Sequence, residues 1–164
     1  MTKQQEYNEY YEYQVNGTLL NKKTRKQVGQ PNEEGYIRLR YKGTELRAHR
    51  VIWTMINGDI PEGMLIDHID GIKSNNRIEN LRLATRTQNN ANKKHNYEHG
   101  LPKGIVQVPS GRFRARLYHK GVNYSLGTHD TVEEAELAYN TKAKEIHGEF
   151  AYTTKNLQLD NLPH

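Results

Sequence analysis

The sequence contains no cysteine, one Trp, two Phe and five Pro in 164 residues. Without cysteine there is no disulfide, no thiol nucleophile and no thiolate metal site. Long apolar runs are also missing. Hydrophobic residues make up 34% of the chain, and no stretch approaches the roughly 20 that a membrane-spanning helix needs. The N-terminus carries no basic-then-apolar leader, so the reading predicts a protein that is neither exported nor membrane-bound and works in the cytoplasm. A chain this polar has little core to distribute, so each module must be small.

Negative charge is in deficit too. Lys and Arg number 24 against 19 Asp and Glu, a net charge of +5. The imbalance is local. Between Arg82 and Lys120 nine residues are basic and one, Glu98, is acidic. From Asp130 onward seven acids meet three bases. A one-sided, Arg-rich stretch in mid-chain is the electrostatic footprint of a polyanion partner, and nucleic acid is the partner it fits.

The first dozen residues mix Tyr7, Tyr10 and Tyr11 with Glu6, Glu9 and Glu12. They read as a frayed terminus whose aromatics dock on the next module. Short strands follow over residues 10–47. Tyr36–Tyr41 alternates, and Lys42-Gly43 is a hairpin turn into Thr44–Ala48. The apolar cluster Val51, Ile52, Trp53, Met55, Ile56 predicts a short buried helix stopping at Gly58. A strand Met64–Ile66 then runs into Asp67-His68, a loop extends to Asn76, and Leu81–Leu83 is a second strand. Thr85 with Gln88 fits a capping box opening a helix through about His95.

Residues 96–102 read as a linker. Beyond it, Gly104–Val108, Arg112–Tyr118 and Val122–Leu126 predict three antiparallel strands. Phe113, Ala115 and Leu117 fall on one face of the middle strand, and Arg112, Arg114, Arg116 and Tyr118 on the other. Thr131 with Glu134 caps a helix that ends at Gly148.

Asp67-His68 sits where a buried strand ends. Adjacent strand residues point to opposite faces, unless the strand bends there and lets both converge on one cleft. The segment from His49 to His95, with "DHIDG…NN…ENLRLAT…QNN" at its centre, resembles the HNH nucleases, in particular the phage and intron homing-endonuclease branch. The resemblance implies a ββα-metal finger. It places a metal ligand at Asp67, the general base at His68, the central Asn of the motif at Asn80 and a last metal ligand at Asn89, with Asn90 the alternative. Asn is a weaker ligand than His, so the departure from the letters HNH bears on metal affinity.

The chemistry fits these residue types. Phosphodiester hydrolysis needs water activated near neutral pH, which a histidine can do. It also needs charge stabilisation at the phosphate and the leaving 3′ oxygen, which one hard cation on a carboxylate and an amide oxygen supplies. Oxygen ligands favour Mg²⁺ or Mn²⁺. Asn80 reads as a brace that ties the Asp70–Asn76 loop and so orients His68. Asp70, before Gly71, reads as a turn residue. Arg50 and Arg86 are phosphate contacts in this reading, Arg82 serves equally well as a surface residue, and His49 is open to two roles, a packed or capping histidine or a catalytic one.

Residues 103–152 resemble the Apetala-two/ethylene-response-factor DNA-binding domain, most strongly in "SLGTHDTVEEAELAYN" and "IHGEFA". The resemblance implies a sheet that enters the major groove, with Arg112, Arg114, Arg116 and Tyr118 reading bases and Lys103 and Lys120 on the backbone. The plant pattern has arginines near Val106 and Val108 and a Trp near Ser125, so base preferences should differ.

The sequence therefore predicts an α+β protein. Its predicted segments are an N-terminal β extension over 1–48 that helps hold DNA, a nuclease finger over 49–95, a linker over 96–102, a DNA reader over 103–152 and a tail over 153–164. The predicted function is site-specific cleavage of double-stranded DNA for a phage or other mobile element. The predicted cofactor is one Mg²⁺ or Mn²⁺ per site with no small molecule, and the predicted assembly a monomer or weak dimer. The rival reading is a DNA-binding regulator with an inactive finger; the complete Asp67, His68, Asn80, Asn89 set argues against it.

Overall fold

The chain opens with a reciprocal cap. Thr2 Oγ1 accepts the Gln5 N–H at 3.2 Å, and Gln5 Oε1 accepts the Thr2 N–H at 2.9 Å. The two bonds satisfy donors that a helix start leaves orphaned, and they begin α1 (Lys3–Tyr10). The terminus is thus a helix and not a fray. It is held because the Gln4 and Asn8 side-chain amides donate to the Met55 carbonyl at 3.2 and 3.0 Å. The computed structural model that shows this describes residues 1–92 and 100–152. Its contacts divide the chain into two units, 1–89 and 90–164.

In the first unit β1 (Tyr11–Tyr13), β2 (Leu19–Asn21) and β3 (Gln27–Val28) form one antiparallel sheet in that order. A second sheet joins β4 (Gln30–Pro31), β5 (Ile37–Tyr41) and β6 (Thr44–Arg47). Tyr41 pairs with Thr44 across Lys42 and Gly43, both at positive φ (47° and 81°), so the turn twists with its strands. Helix α2 (Ala48–Asn57) stops at Gly58, whose φ of 86° a side chain would resist. Next comes a two-stranded antiparallel ribbon of β7 (Leu65–His68) and β8 (Leu81–Ala84), entered through a 3-10 turn at Ile78–Asn80. The Thr85–Gln88 box is complete, with bonds of 2.8 and 3.3 Å, and starts α3 (Arg86–Ala91).

One core joins most of these elements, from α1 and both sheets to α2 and the β7–β8 ribbon. Tyr7, Tyr11, Leu19, Leu39 and Tyr41 pack in the same cluster as Val51, Ile52, Met55, Ile66 and Leu81. Each buried aliphatic side chain there contributes about 1.5–3 kcal/mol. Residues 1–48 therefore share a hydrophobic core with the finger that follows.

The second unit has three strands, β9 (Ile105–Gln107), β10 (Phe113–His119) and β11 (Val122–His129), with β10 in the middle. Helix α4 (Val132–His147) covers the face carrying Ala115 and Leu117, and Ala135, Tyr139 and Ala143 are its buried residues. The β10–β11 register slips by one between Arg114 and Arg116, opposite Gly127 at φ 94°. That bulge lets β11 run to His129. Gly104 (φ 76°) cannot be anything else: a Cβ there would lie 2.3 Å from the Tyr139 ring and 2.4 Å from the Arg116 carbonyl. Thr131 Oγ1 accepts the Glu134 N–H at 3.2 Å, but the Glu134 carboxylate reaches back to Asp130 N–H at 3.2 Å.

The unit boundary at Asn89–Asn90 lies inside α3, and the Lys103 ammonium caps the Ala91 carbonyl at 3.1 Å. The predicted linker falls on 96–102, of which 96–99 lie outside the described residues, as do the predicted tail 153–164 and the end of the predicted finger at 93–95. Among the described residues no helix is long and apolar enough to cross a membrane.

Candidate active site

The β7–β8 ribbon fixes the site. Antiparallel register sets Asp67 opposite Arg82 and His68 opposite Leu81. Asp67 and Arg82 therefore meet on one face: Asp67 Oδ2 accepts from Arg82 Nε at 2.9 Å, and Arg82 Nη2 stands at the same ion-pair distance from that oxygen. Side-chain exposures of 6% and 12% make this a buried pair. The reading of Arg82 as a surface residue is thereby corrected, because its cross-strand partner is the buried carboxylate.

His68 takes different partners. Its Nε2 lies 2.9 Å from Asn76 Oδ1. An amide oxygen only accepts, so the neutral ring carries its proton on Nε2 and its lone pair on Nδ1. Asn76 is 2% exposed. The His49 ring stands edge-on to His68 with centroids 5.0 Å apart, and Tyr36 lies 5.4 Å from His49 and 6.1 Å from His68. Burial pushes the His49 imidazole down to about 3, helped by the nearby His68 and by Arg47 and Arg50. Its Nδ1 is buried and has no hydrogen-bond partner among the described residues. Burial also lowers His68, against the opposing pull of the Asn76 bond and of Asp70 and Asp67. His49 is thus a packed histidine, one of the two roles left open by the sequence.

The loop between the strands is tied almost wholly by asparagine. The Asn80 carbonyl accepts the Ile69 N–H at 2.9 Å. Its side-chain oxygen accepts the Asp70 N–H at 3.1 Å, while its amide donates to Asp70 Oδ1 and to the Asn75 carbonyl, both at 2.9 Å. The Asp70 carboxylate also accepts the Ile72 N–H and the Asn75 amide, each at 2.7 Å. Asp70 is consumed by the turn.

The Asn89 backbone N–H bonds the Thr85 carbonyl at 2.9 Å within α3, and its half-buried side chain makes no hydrogen bond among the described residues. Asn90 is exposed. Among the described residues no three of His, Asp and Glu gather in a metal-binding group. The candidate donors singled out by the sequence, the Asp67 carboxylate and the Asn89 amide oxygen, are hard oxygen donors of the kind Mg²⁺ or Mn²⁺ prefers.

Arg114, Arg116 and Tyr118 are exposed on one face of β10, with Tyr118 at 73%. Arg112 lies just outside the strand. It pairs with Asp130 Oδ1 at 2.7 Å and donates to the Thr128 carbonyl at 3.0 Å, so part of its charge is already matched. Lys103 is half-buried on the Ala91 carbonyl, whereas Lys120 is exposed in the β10–β11 turn. Arg50 and Arg86 are exposed on the first unit.

Sequence reasoning missed Asn76, Arg47 and Lys73. The last two stack on Tyr36 at 4.5 and 4.9 Å beside the histidine pair. The doublet Asn75-Asn76 was a visible signal, but only the folded loop brings its second member to His68.

The HNH endonuclease family model matches residues 46–91. An uncharacterized HNH endonuclease of Acanthamoeba polyphaga mimivirus is 37% identical over 112 residues, which are 68% of this chain and 58% of that protein. Protein 3.8 of Escherichia phage T7 is 34% identical over 113 residues, 64% of this chain and 88% of that protein. A solved structure titled "DNA binding and cleavage by the HNH homing endonuclease I-HmuI" aligns with a TM-score of 0.44 and 30% identity, over 51% of each chain. The chain thus spans little more than half of the mimivirus relative but most of the phage protein. With the family match lying on α2, the β7–β8 ribbon and α3, and a relative aligned over nearly its whole length, the chain belongs to the HNH endonuclease family.

Proposed function

We propose that this protein is a divalent-metal-dependent, homing-type DNA endonuclease of a phage or other mobile element, acting in the cytoplasm of the host. The observation that carries the reading is His68. It is a buried imidazole held at Nε2 by a buried amide, next in sequence to a buried carboxylate. Held this way, the ring is oriented to take a proton at Nδ1. Water attacks phosphorus, its proton passes to His68 Nδ1, and the bond to the 3′ oxygen breaks. Asn76 and Asn80 fix the ring and the loop, so little reorganisation remains at the moment of reaction. Arg82 holds the Asp67 carboxylate in place. Asp67 and Asn89, or Asn90 in its stead, would hold one Mg²⁺ or Mn²⁺, which when bound stabilises charge on the phosphate and the departing oxygen. The exposed cations Arg47, Arg50, Lys73 and Arg86 supply phosphate contacts around the site.

The second unit is the DNA reader in this proposal, of the Apetala-two/ethylene-response-factor type. Arg114, Arg116 and Tyr118 form its reading edge, Lys120 contacts the backbone, and Arg112 and Lys103 are secondary because each already has a partner.

The test is incubation of end-labelled host-type genomic DNA with the full chain, with Mg²⁺, with Mn²⁺ and with chelator, followed by mapping of ends. Discrete ends that require metal are expected, and Asp67→Ala should lower the rate by at least about 10²-fold. Discrete cleavage that survives chelator, or an active Asp67→Ala, sinks the proposal.

A further inference from the structure

The loop that holds the histidine is itself held, and the element that holds it lies outside the residues matched by the family model. The β1–β2 hairpin turns at residues 14–17, where the Gln14 carbonyl accepts the Gly17 N–H at 2.8 Å and the Thr18 carbonyl accepts the Gln14 N–H at 2.9 Å. Gly17 is buried at the tip, with φ 85°. A Cβ on Gly17 would lie 2.6 Å from Arg77 N and 2.7 Å from Asn76 C. The tip therefore rests backbone against backbone on the Asn76–Arg77 peptide, at a distance that only glycine permits. One residue further on, the Ile78 N–H donates to the Tyr13 hydroxyl at 3.0 Å. A third tie runs from Lys73 Nζ to the Glu34 carbonyl at 2.9 Å. The hairpin cannot drift, because Tyr11 and Leu19 anchor it in the core at 4% and 1% exposure.

The first two contacts converge on one backbone segment, and that segment carries Asn76, whose amide oxygen meets His68 Nε2. Asn80 fixes the loop from within, at Ile69 and Asp70 near its start and at the Asn75 carbonyl. The hairpin fixes it at Asn76–Ile78. We infer that Tyr13 and Gly17 are positioning residues for the reaction: through the Asn76–Ile78 backbone they set the Asn76 amide, and so the angle of the His68 ring. The inference rests on the reading of His68 as the general base. It gives residues 1–48 a part in the chemistry besides any contact they make with DNA.

The experiment uses the full chain with Tyr13→Phe, Gly17→Ala, Asn76→Ala, His68→Ala and the double variant Tyr13→Phe/Asn76→Ala. Single-turnover cleavage, DNA affinity, exchange of the Ile78 amide and the His68 ring resonances are measured on each. Tyr13→Phe removes only the acceptor for the Ile78 N–H. It should slow cleavage about tenfold and Gly17→Ala about 10²-fold, as expected when a catalytic group is displaced by a fraction of an ångström to one ångström. DNA affinity should not change, the Ile78 amide should exchange faster, and the His68 ring signals should move. In the Asn76→Ala background Tyr13→Phe should cost nothing more, since the path to His68 is already cut; a purely structural role would give additive losses.

Gly17→Ala can fail to fold, whereas Tyr13→Phe keeps the backbone intact. A wild-type rate for Tyr13→Phe, or losses that add, overturns the inference. If His68→Ala cleaves like wild type, or nothing cleaves, the reading of His68 falls instead. The ring resonances then decide the brace alone, and His68 signals unmoved by Tyr13→Phe overturn it.

Discussion

Two histidines share the buried centre of the first unit. His68 has a polar partner at one nitrogen, whereas His49 has packing and a ring edge. The consequence for stability has a definite sign. The His49 imidazole ionises near 6.5 in an unfolded chain but only at about 3 in the folded one. The unfolded chain therefore binds a proton that the folded chain refuses. Stability is fully present above about pH 6.5 and is lost as pH falls through that window, by roughly 1.4 kcal/mol per unit at most for one group. Urea unfolding at pH 6.5 and pH 4.5 checks this with wild type and His49→Phe, which keeps a ring in the stack. The wild type should lose about 2–3 kcal/mol more than the variant over that interval. Equal losses in the two proteins would mean that His49 is not the group that resists protonation.

At the scale of elements the β7–β8 ribbon sets the ion pair. Asp67 and Arg82 are 15 residues apart and meet because antiparallel register puts them opposite one another. Arg82→Met keeps the length of the side chain and leaves the Asp67 carboxylate buried without its guanidinium. Such a loss typically costs about 3–5 kcal/mol, and that fall in unfolding free energy is expected. A change under about 0.5 kcal/mol would put the pair among surface contacts of no consequence.

The ribbon also marks where the sequence stops being legible. Alternation, turn glycines and capping pairs identified β5 to β11 and α2 to α4, because each signal is local. Asp67, His68 and Asn80 were legible as candidates from motif spacing, and the Asn80 side chain bonds the loop at Asp70 and Asn75. The Arg82 partnership was not legible, since an irregular loop separates the strands and only the folded register assigns pairs. Asn76 stayed hidden for the same reason. Helix α1 was missed although Thr2 and Gln5 spell a capping box. The segment lacks an apolar stripe: Tyr7 is its one buried residue, and polar side chains bonding a helix-end carbonyl add to its hold on α2.

At the scale of the whole molecule the proposed function gives the two units different work. The first holds the buried Asp67–Arg82 and His68–Asn76 pairs, and the second an open strand face with Arg114, Arg116 and Tyr118. Phosphate geometry is common to all DNA, so the first unit needs little sequence information. Alternate arginines along a strand can each discriminate bases by about 1–3 kcal/mol. The most direct test measures binding and single-turnover cleavage together on one labelled target duplex with Mg²⁺, across a salt series. The full chain is compared with His68→Ala and with the double variant Arg114→Ala/Arg116→Ala. His68→Ala is expected to bind like wild type and to cleave at least about 10²-fold more slowly. The arginine variant is expected to bind more weakly, with a salt slope reduced by up to about two, yet to cleave at the wild-type rate once saturated. Cleavage by His68→Ala at the wild-type rate would contradict the account at its centre.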